Sequence, residues 1–230
     1  MATTVVNVVL SREAGMNDSL KEWLPPGVTV HEVPLTTTTY LEAAAVRNDL
    51  ERSRAHGMYR TLVVTSARSA DYLDEARASS TMDVTVVSVG PSTTAALTSR
   101  GVHVDTQGDG SAASLAHDIT QSPVLILGAR SMREELAAAL RAKGLEVVSI
   151  ACYETEGVTL ASMDIETLHA ADVLFIGAPS AWAVARPHVR DETWVVVPGA
   201  STGDAVRVDH VRVIEGWGPE LRSRLAAMTA

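Results

Sequence analysis

Short β-branched runs recur along the chain, separated by helical patterns. The runs Val5–Leu10, Val28–Val33, Thr61–Thr65, Val84–Val89, Val102–Val104, Val124–Leu127, Val147–Ile150, Val173–Ile176, Trp194–Val197 and Val211–Ile214 predict strands. They are nearly continuous in apolar residues rather than alternating, as expected of strands buried on both faces of a parallel sheet. Between them, apolar positions at three- and four-residue spacing predict helices over Leu20–Leu24, Leu41–Leu50, Ser69–Ala78, Thr93–Arg100, Ser114–Ile119, Met132–Lys143 and Leu221–Met228. Gly27, Gly101 and Gly144 stand where a helix ends ahead of the next strand, the position that favours a left-handed glycine. Strand and helix alternating over short links predict an α/β fold of doubly wound parallel sheets.

So many strands point to two sheets. A faint repeat agrees. Leu20, Leu24, Gly27, Val30 and Val33 are echoed by Leu136, Leu140, Gly144, Val147 and Ile150. Gly90, Ser92, Thr93, Ala96 and Leu97 are echoed by Gly199, Ser201, Thr202, Ala205 and Val206. Two segments break the rhythm: Pro34–Thr39, a threonine run after proline that favours extended backbone, and Tyr153–Val158, which has no helical pattern. Both read as crossings between domains or as surface loops.

Composition narrows the function. Hydrophobic residues make up 46% and charged residues 20%, which excludes a disordered chain. Nineteen basic against twenty-eight acidic residues give a net charge of −9, and there are only four Trp, four Tyr and one Phe. Such a chain has neither a basic surface for duplex phosphate nor a stacking surface for single strands, so no nucleic-acid partner is expected. Cys152 is the one cysteine, which excludes a disulfide framework and suggests a reducing compartment. No run reaches the roughly 18 apolar residues of a membrane span, and the first ten residues do not resemble a signal peptide, so a cytoplasmic location is expected. Lys21 and Lys143 are the only lysines; the other basic residues are arginines, the better partner for carboxylates.

Familiar catalytic motifs do not hold up. Gly108 to Ala113 fits G-x-G-x-x-A after a strand, but no acidic residue ends the next strand, as a dinucleotide site requires; it reads as a helix-initiating turn. Gly199 to Gly203 fits G-x-S-x-G between strand and helix, yet the one later histidine, His210, lies directly beside Asp209, a spacing that cannot easily build a triad. The seven histidines form no metal-binding spacing, so no metal is expected. What recurs is a small polar turn after a strand: Thr65-Ser66, Gly90 to Thr93, Ala178 to Ser180 and Gly199 to Thr202. Each offers a helix N-terminus at the strand ends where α/β proteins bind ligands, which suggests an anionic ligand held largely by backbone groups.

At this point the sequence resembles the uroporphyrinogen-III synthase family. The family's opening strand ending in a T-R-like pair is similar to Ser11-Arg12, and T-S-x-x-A-V to Thr65 to Ala70. A-V-G-x-x-T-x-x-x-L resembles Ser88 to Leu97, and F-T-S-P-S resembles Ile176 to Ser180, with Gly177-Ala178 in place of a Thr-Ser pair. The most specific match is L-x-x-x-L-x-x-x-G-x-x-V running on to Y-x-T, carried by Leu136, Leu140, Gly144, Val147, Tyr153 and Thr155.

The resemblance implies two α/β domains joined by a two-stranded linker, the first discontinuous: residues 1–35 with 157–230, and 36–156. It implies a monomeric lyase that uses no cofactor and cyclises hydroxymethylbilane, an octa-carboxylate, with inversion of the last pyrrole ring, through a spiro intermediate and with loss of water. Tyr153 matches the family tyrosine, whose phenol could donate to the departing hydroxyl. Arg12 and Arg133 could pair with carboxylates, and Thr65, Ser66, Thr93, Ser180 and Thr202 mark the carboxylate-binding turns. A non-catalytic binder of an anionic small molecule, related to the synthase, is the alternative, and Gly177-Ala178 is its best support.

Overall fold

The computed structural model describes residues 6–53, 58–78, 80–109, 112–130, 134–217 and 219–229. Along the first half run β1 (Asn7–Leu10), α1 (Asp18–Lys21), β2 (Thr29–Glu32), β3 (Thr36–Tyr40), α2 (Ala43–Ser53), β4 (Tyr59–Val64), a 3₁₀ segment (Ala67–Tyr72), α3 (Leu73–Ala78), β5 (Ser80–Ser88), α4 (Pro91–Thr98) and β6 (Thr106–Gln107). There follow α5 (Ala112–Asp118), β7 (Val124–Ala129), α6 (Glu134–Ala142), β8 (Val147–Gly157), α7 (Ser162–His169), β9 (Val173–Phe175), α8 (Pro179–Ala185), β10 (Trp194–Val197), α9 (Ala200–Arg207), β11 (Arg212–Glu215) and α10 (Pro219–Thr229). One sheet has the order β11-β10-β9-β1-β2, with every neighbouring pair parallel. The other has the order β3-β8-β7-β4-β5-β6 and is parallel from β8 to β6.

Two cores per sheet explain why the strands look uniformly apolar. Val9, Leu174, Val195 and Val197 face one core with α7, α8 and α9; Val8, Leu10, Val173, Phe175 and Val196 face the other with α1 and α10. In the second sheet Leu62, Val64, Leu125 and Leu127 join α2, α3 and α4, while Val63, Val124 and Ile126 join α5 and α6. Side chains alternate with period two, but both faces are covered, so polarity does not alternate with them.

Contacts divide the chain into two compact units, residues 1–37 with 156–230 and residues 38–155. Residues 20–33 and 199–206 fall in the first, and residues 90–97 and 136–150 in the second. Pro34–Thr39 and Tyr153–Val158 overlap β3 and β8, which are neighbours in the second sheet and carry the chain from one unit to the other.

Some expectations need correction. Val102–Val104 is not a strand; pairing with β5 begins only at Thr106, because Asp105 takes the Val86 N–H on its side chain at 2.8 Å. The run at Val28–Val33 is not buried on both faces, since β2 is an edge strand and Val30 is 39% exposed. Helix α7 is not among the helices that periodicity predicts, and α8 and α9 are marked in the sequence only by the polar turns that start them. Gly27, Gly101 and Gly144 do take positive φ, at 87°, 75° and 82°.

Candidate functional site

Parallel strands bring their C-terminal ends to one edge, and in each unit the polar turns gather there. In the second unit Thr65 follows β4, and its hydroxyl donates to the Leu127 carbonyl at 2.9 Å, the same oxygen that takes the Thr65 N–H at 3.0 Å. Ser66 accepts the Arg68 N–H at 3.2 Å and so caps the 3₁₀ segment. Thr93 is buried in the first turn of α4, whose cap is an extended Gly90 followed by Pro91. The hydroxyls of Thr65 and Ser66 therefore brace their own turns.

Tyr153 reaches this edge through a bulge. Gly128 is opposite Ala151 and Ala129 opposite Tyr153, so β8 carries one extra residue, Cys152. Ile150, Cys152 and Tyr153 all join the same core, which strict alternation would forbid. The Tyr153 ring, 7% exposed, lies 6.3 Å from the Tyr40 ring, and the Arg68 guanidinium carbon sits 5.8 Å from its centroid. The Tyr153 carbonyl accepts the Arg130 N–H at 2.7 Å, and Arg130 pairs with Glu154. Arg133 lies outside the described residues.

The first unit places Arg12, Ser180 and Thr202 beyond β1, β9 and β10. Ser180 is exposed in α8, and Thr202 is buried in α9. The Ser11 hydroxyl donates to the Phe175 carbonyl, tying β1 to β9. The buried Asn17 amide donates to the Arg12 carbonyl at 3.1 Å and to Glu32 at 3.0 Å, and Glu32 pairs with Lys21 at 2.5 Å. Lys21 and Asn17 together hold the Glu32 carboxyl below its ordinary pKa. A carboxylate with a depressed folded pKa stabilises the fold above its unfolded value and loses that contribution as pH falls through the folded one. Glu32→Gln is therefore expected to lower the melting temperature slightly at pH 7 and not at all near pH 2, a comparison two thermal melts would settle.

Sequence reading missed three side chains at these edges. Tyr40 and Arg68 border Tyr153, and Trp217, beyond β11, lies beside Arg12. Arg68 is an unspecified position inside the T-S-x-x-A motif, and Trp217 carried only the signal of being one of four tryptophans. Among the described residues no group of three His, Cys, Asp or Glu side chains is arranged to hold a metal, and no helix is long and apolar enough to cross a membrane.

These features define an α/β protein of two parallel-sheet units, each with polar turns along its strand ends. The family model of uroporphyrinogen-III synthase HemD matches residues 25–215, and the chain belongs to that family, one of cyclising lyases in porphyrin and haem biosynthesis. The fold is similar to that of a mutant uroporphyrinogen III synthase from the extremely thermophilic bacterium Thermus thermophilus, at a TM-score of 0.68 and 17% identity over 97% of each chain. It is also similar to uroporphyrinogen-III synthetase from Helicobacter pylori, at a TM-score of 0.63 and 15% identity over 98% of this chain and 100% of the other. A search of the curated proteins finds no match.

Proposed function

We propose that this chain converts hydroxymethylbilane to uroporphyrinogen III, closing the macrocycle with inversion of the last pyrrole ring and loss of water. The family match across residues 25–215 carries the reading. Spontaneous closure gives the uninverted isomer, so the enzyme's task is to favour one geometry of attack through a spiro intermediate. That is a problem of positioning more than of strong acid–base chemistry. The Tyr153 phenol donates to the departing hydroxyl as it leaves as water. Arg12 and the turns at Thr65-Ser66, Thr93, Ser180 and Thr202 take substrate carboxylates, the turns chiefly through backbone N–H groups.

The test is to supply freshly made hydroxymethylbilane, oxidise the product and resolve the isomers. The inverted isomer, formed faster than spontaneous closure, is expected. The uninverted isomer alone, at the spontaneous rate, would overturn the reading and favour the non-catalytic binder, for which the hydroxyl-free Gly177-Ala178 pair is the supporting observation.

A further inference from the structure

Three strand ends converge on one indole in the first unit. Trp217 is the second residue after β11, which lies three strand spacings from β1, roughly 14 Å across the sheet. Even so, the Arg12 guanidinium carbon lies 5.8 Å from the Trp217 ring centroid. The two side chains meet over the strand end at Gly177. A β-carbon at Gly177 would stand 3.6 Å from Trp217 Cη2 and 4.0 Å from Arg12 Cγ, so this glycine lies directly under both.

Both partners are held. The indole packs against Phe175, with centroids 6.3 Å apart, at the margin of the core built on Val8, Leu10 and Ile214. Arg12 follows Ser11, whose hydroxyl is bonded to β9, and its carbonyl accepts from the Asn17 amide. The indole Nε1 is buried with no acceptor among the described residues. Phenylalanine, though smaller, would avoid the unsatisfied donor, so hydrogen bonding gives no reason for tryptophan. Tryptophan does offer the strongest ring face for a cation.

The opposite edge of the sheet provides a contrast. There Arg212 lies 5.4 Å from the Trp194 ring, but the two residues are paired directly in register across β10 and β11. That contact is a local cross-strand pair. The Arg12–Trp217 contact spans the sheet at its ligand-binding edge.

We propose that Trp217 is a positioning residue: it holds the Arg12 guanidinium at the strand ends, where Arg12 pairs with a carboxylate of a polycarboxylate ligand. The identity of that ligand rests on the synthase reading; the arrangement of the two side chains does not. Uroporphyrin III, an octa-carboxylate that needs no turnover, is the probe, titrated calorimetrically against the full chain and its variants. Trp217→Leu is expected to weaken binding about 10-fold, while Trp217→Phe, which keeps a ring face, stays within about 3-fold of wild type. Trp194→Leu should bind as wild type. With hydroxymethylbilane, Trp217→Leu should raise KM by a similar factor and leave kcat nearly unchanged.

A residue that acts through Arg12 should also show non-additivity. The double variant Arg12→Ala with Trp217→Leu is expected to bind no more weakly than Arg12→Ala alone. Full additivity, wild-type binding by Trp217→Leu, or no binding of the probe by the wild-type chain would each overturn the proposal. If Trp217→Leu fails to fold, Trp217→Met, which keeps bulk and removes the ring face, completes the same cycle, and a weakening by Trp217→Met that adds fully to that of Arg12→Ala overturns the proposal. Wild-type binding with only the uninverted isomer formed would remove the synthase reading and leave this inference standing.

Discussion

Tyr153→Phe is expected to lower kcat for the inverted isomer by about 10²-fold or more, with KM changed little. The substitution is selective because the ring is a packing element and the hydroxyl is not. Phenylalanine keeps the contacts with Tyr40 and Arg68 and stays in the core with Ile150 and Cys152. Among the described residues the Tyr153 hydroxyl makes no hydrogen bond, so its removal leaves no partner unsatisfied. The melting temperature should therefore hold while turnover falls. As the enzymatic rate drops toward that of spontaneous closure, the uninverted isomer should rise in the product. Steady-state kinetics with isomer analysis, run beside a thermal melt, read all three quantities. A kcat within about twofold of wild type would assign Tyr153 to packing alone.

The position of that tyrosine shows where sequence reading stops. The motif ending in Tyr153-Glu154-Thr155 was visible, but its aim was not, because the extra residue in β8 is a matter of register between two strands far apart in sequence. Nothing in the run Val147–Ile150 says that pairing with β7 slips at Gly128. Strands such as Val124–Leu127 and Trp194–Val197 were legible because burial on both faces demands apolar residues at every position. Edge elements were less so: β6 pairs over two residues, and Val102, though buried, lies outside it. Trp217 was illegible for another reason. It lies next to Arg12 over Gly177, a juxtaposition of three segments that no local pattern encodes.

Net charge is a poor guide to the ligand proposed for this chain. A chain of charge −9 looks unsuited to an octa-carboxylate, yet at physiological salt the Debye length is about 8 Å, so what a ligand feels is set locally. Arginines such as Arg12 and Arg68 lie at the strand ends, whereas the lysines do other work. Lys143, for example, donates to the Ala116, His117 and Ile119 carbonyls at the end of α5, a structural tie between helices.

Leu125→Ala should destabilise the protein by about 2–5 kcal/mol. Leu125 is fully buried in β7, paired in register with Leu62 of β4 on one side and Val148 of β8 on the other. Strand ladders on both sides keep the backbone from moving into the space left by the lost methyls, so the cavity persists and the cost lies above that of simple transfer. Val30→Ala, on the exposed face of edge strand β2, is the matched control and should cost less than about 1 kcal/mol. Urea unfolding separates the two: the midpoint should fall for Leu125→Ala at nearly constant slope, because the surface exposed on unfolding is almost unchanged. Leu125 shares its core with Tyr153, so the same variant also tests the division drawn above between packing and chemistry. Assayed well below its melting temperature, Leu125→Ala should keep most of its kcat while losing stability, the reverse of what Tyr153→Phe should show. Equal losses of turnover in both variants would mean that the tyrosine's placement depends on the whole core rather than on the bulge that delivers it.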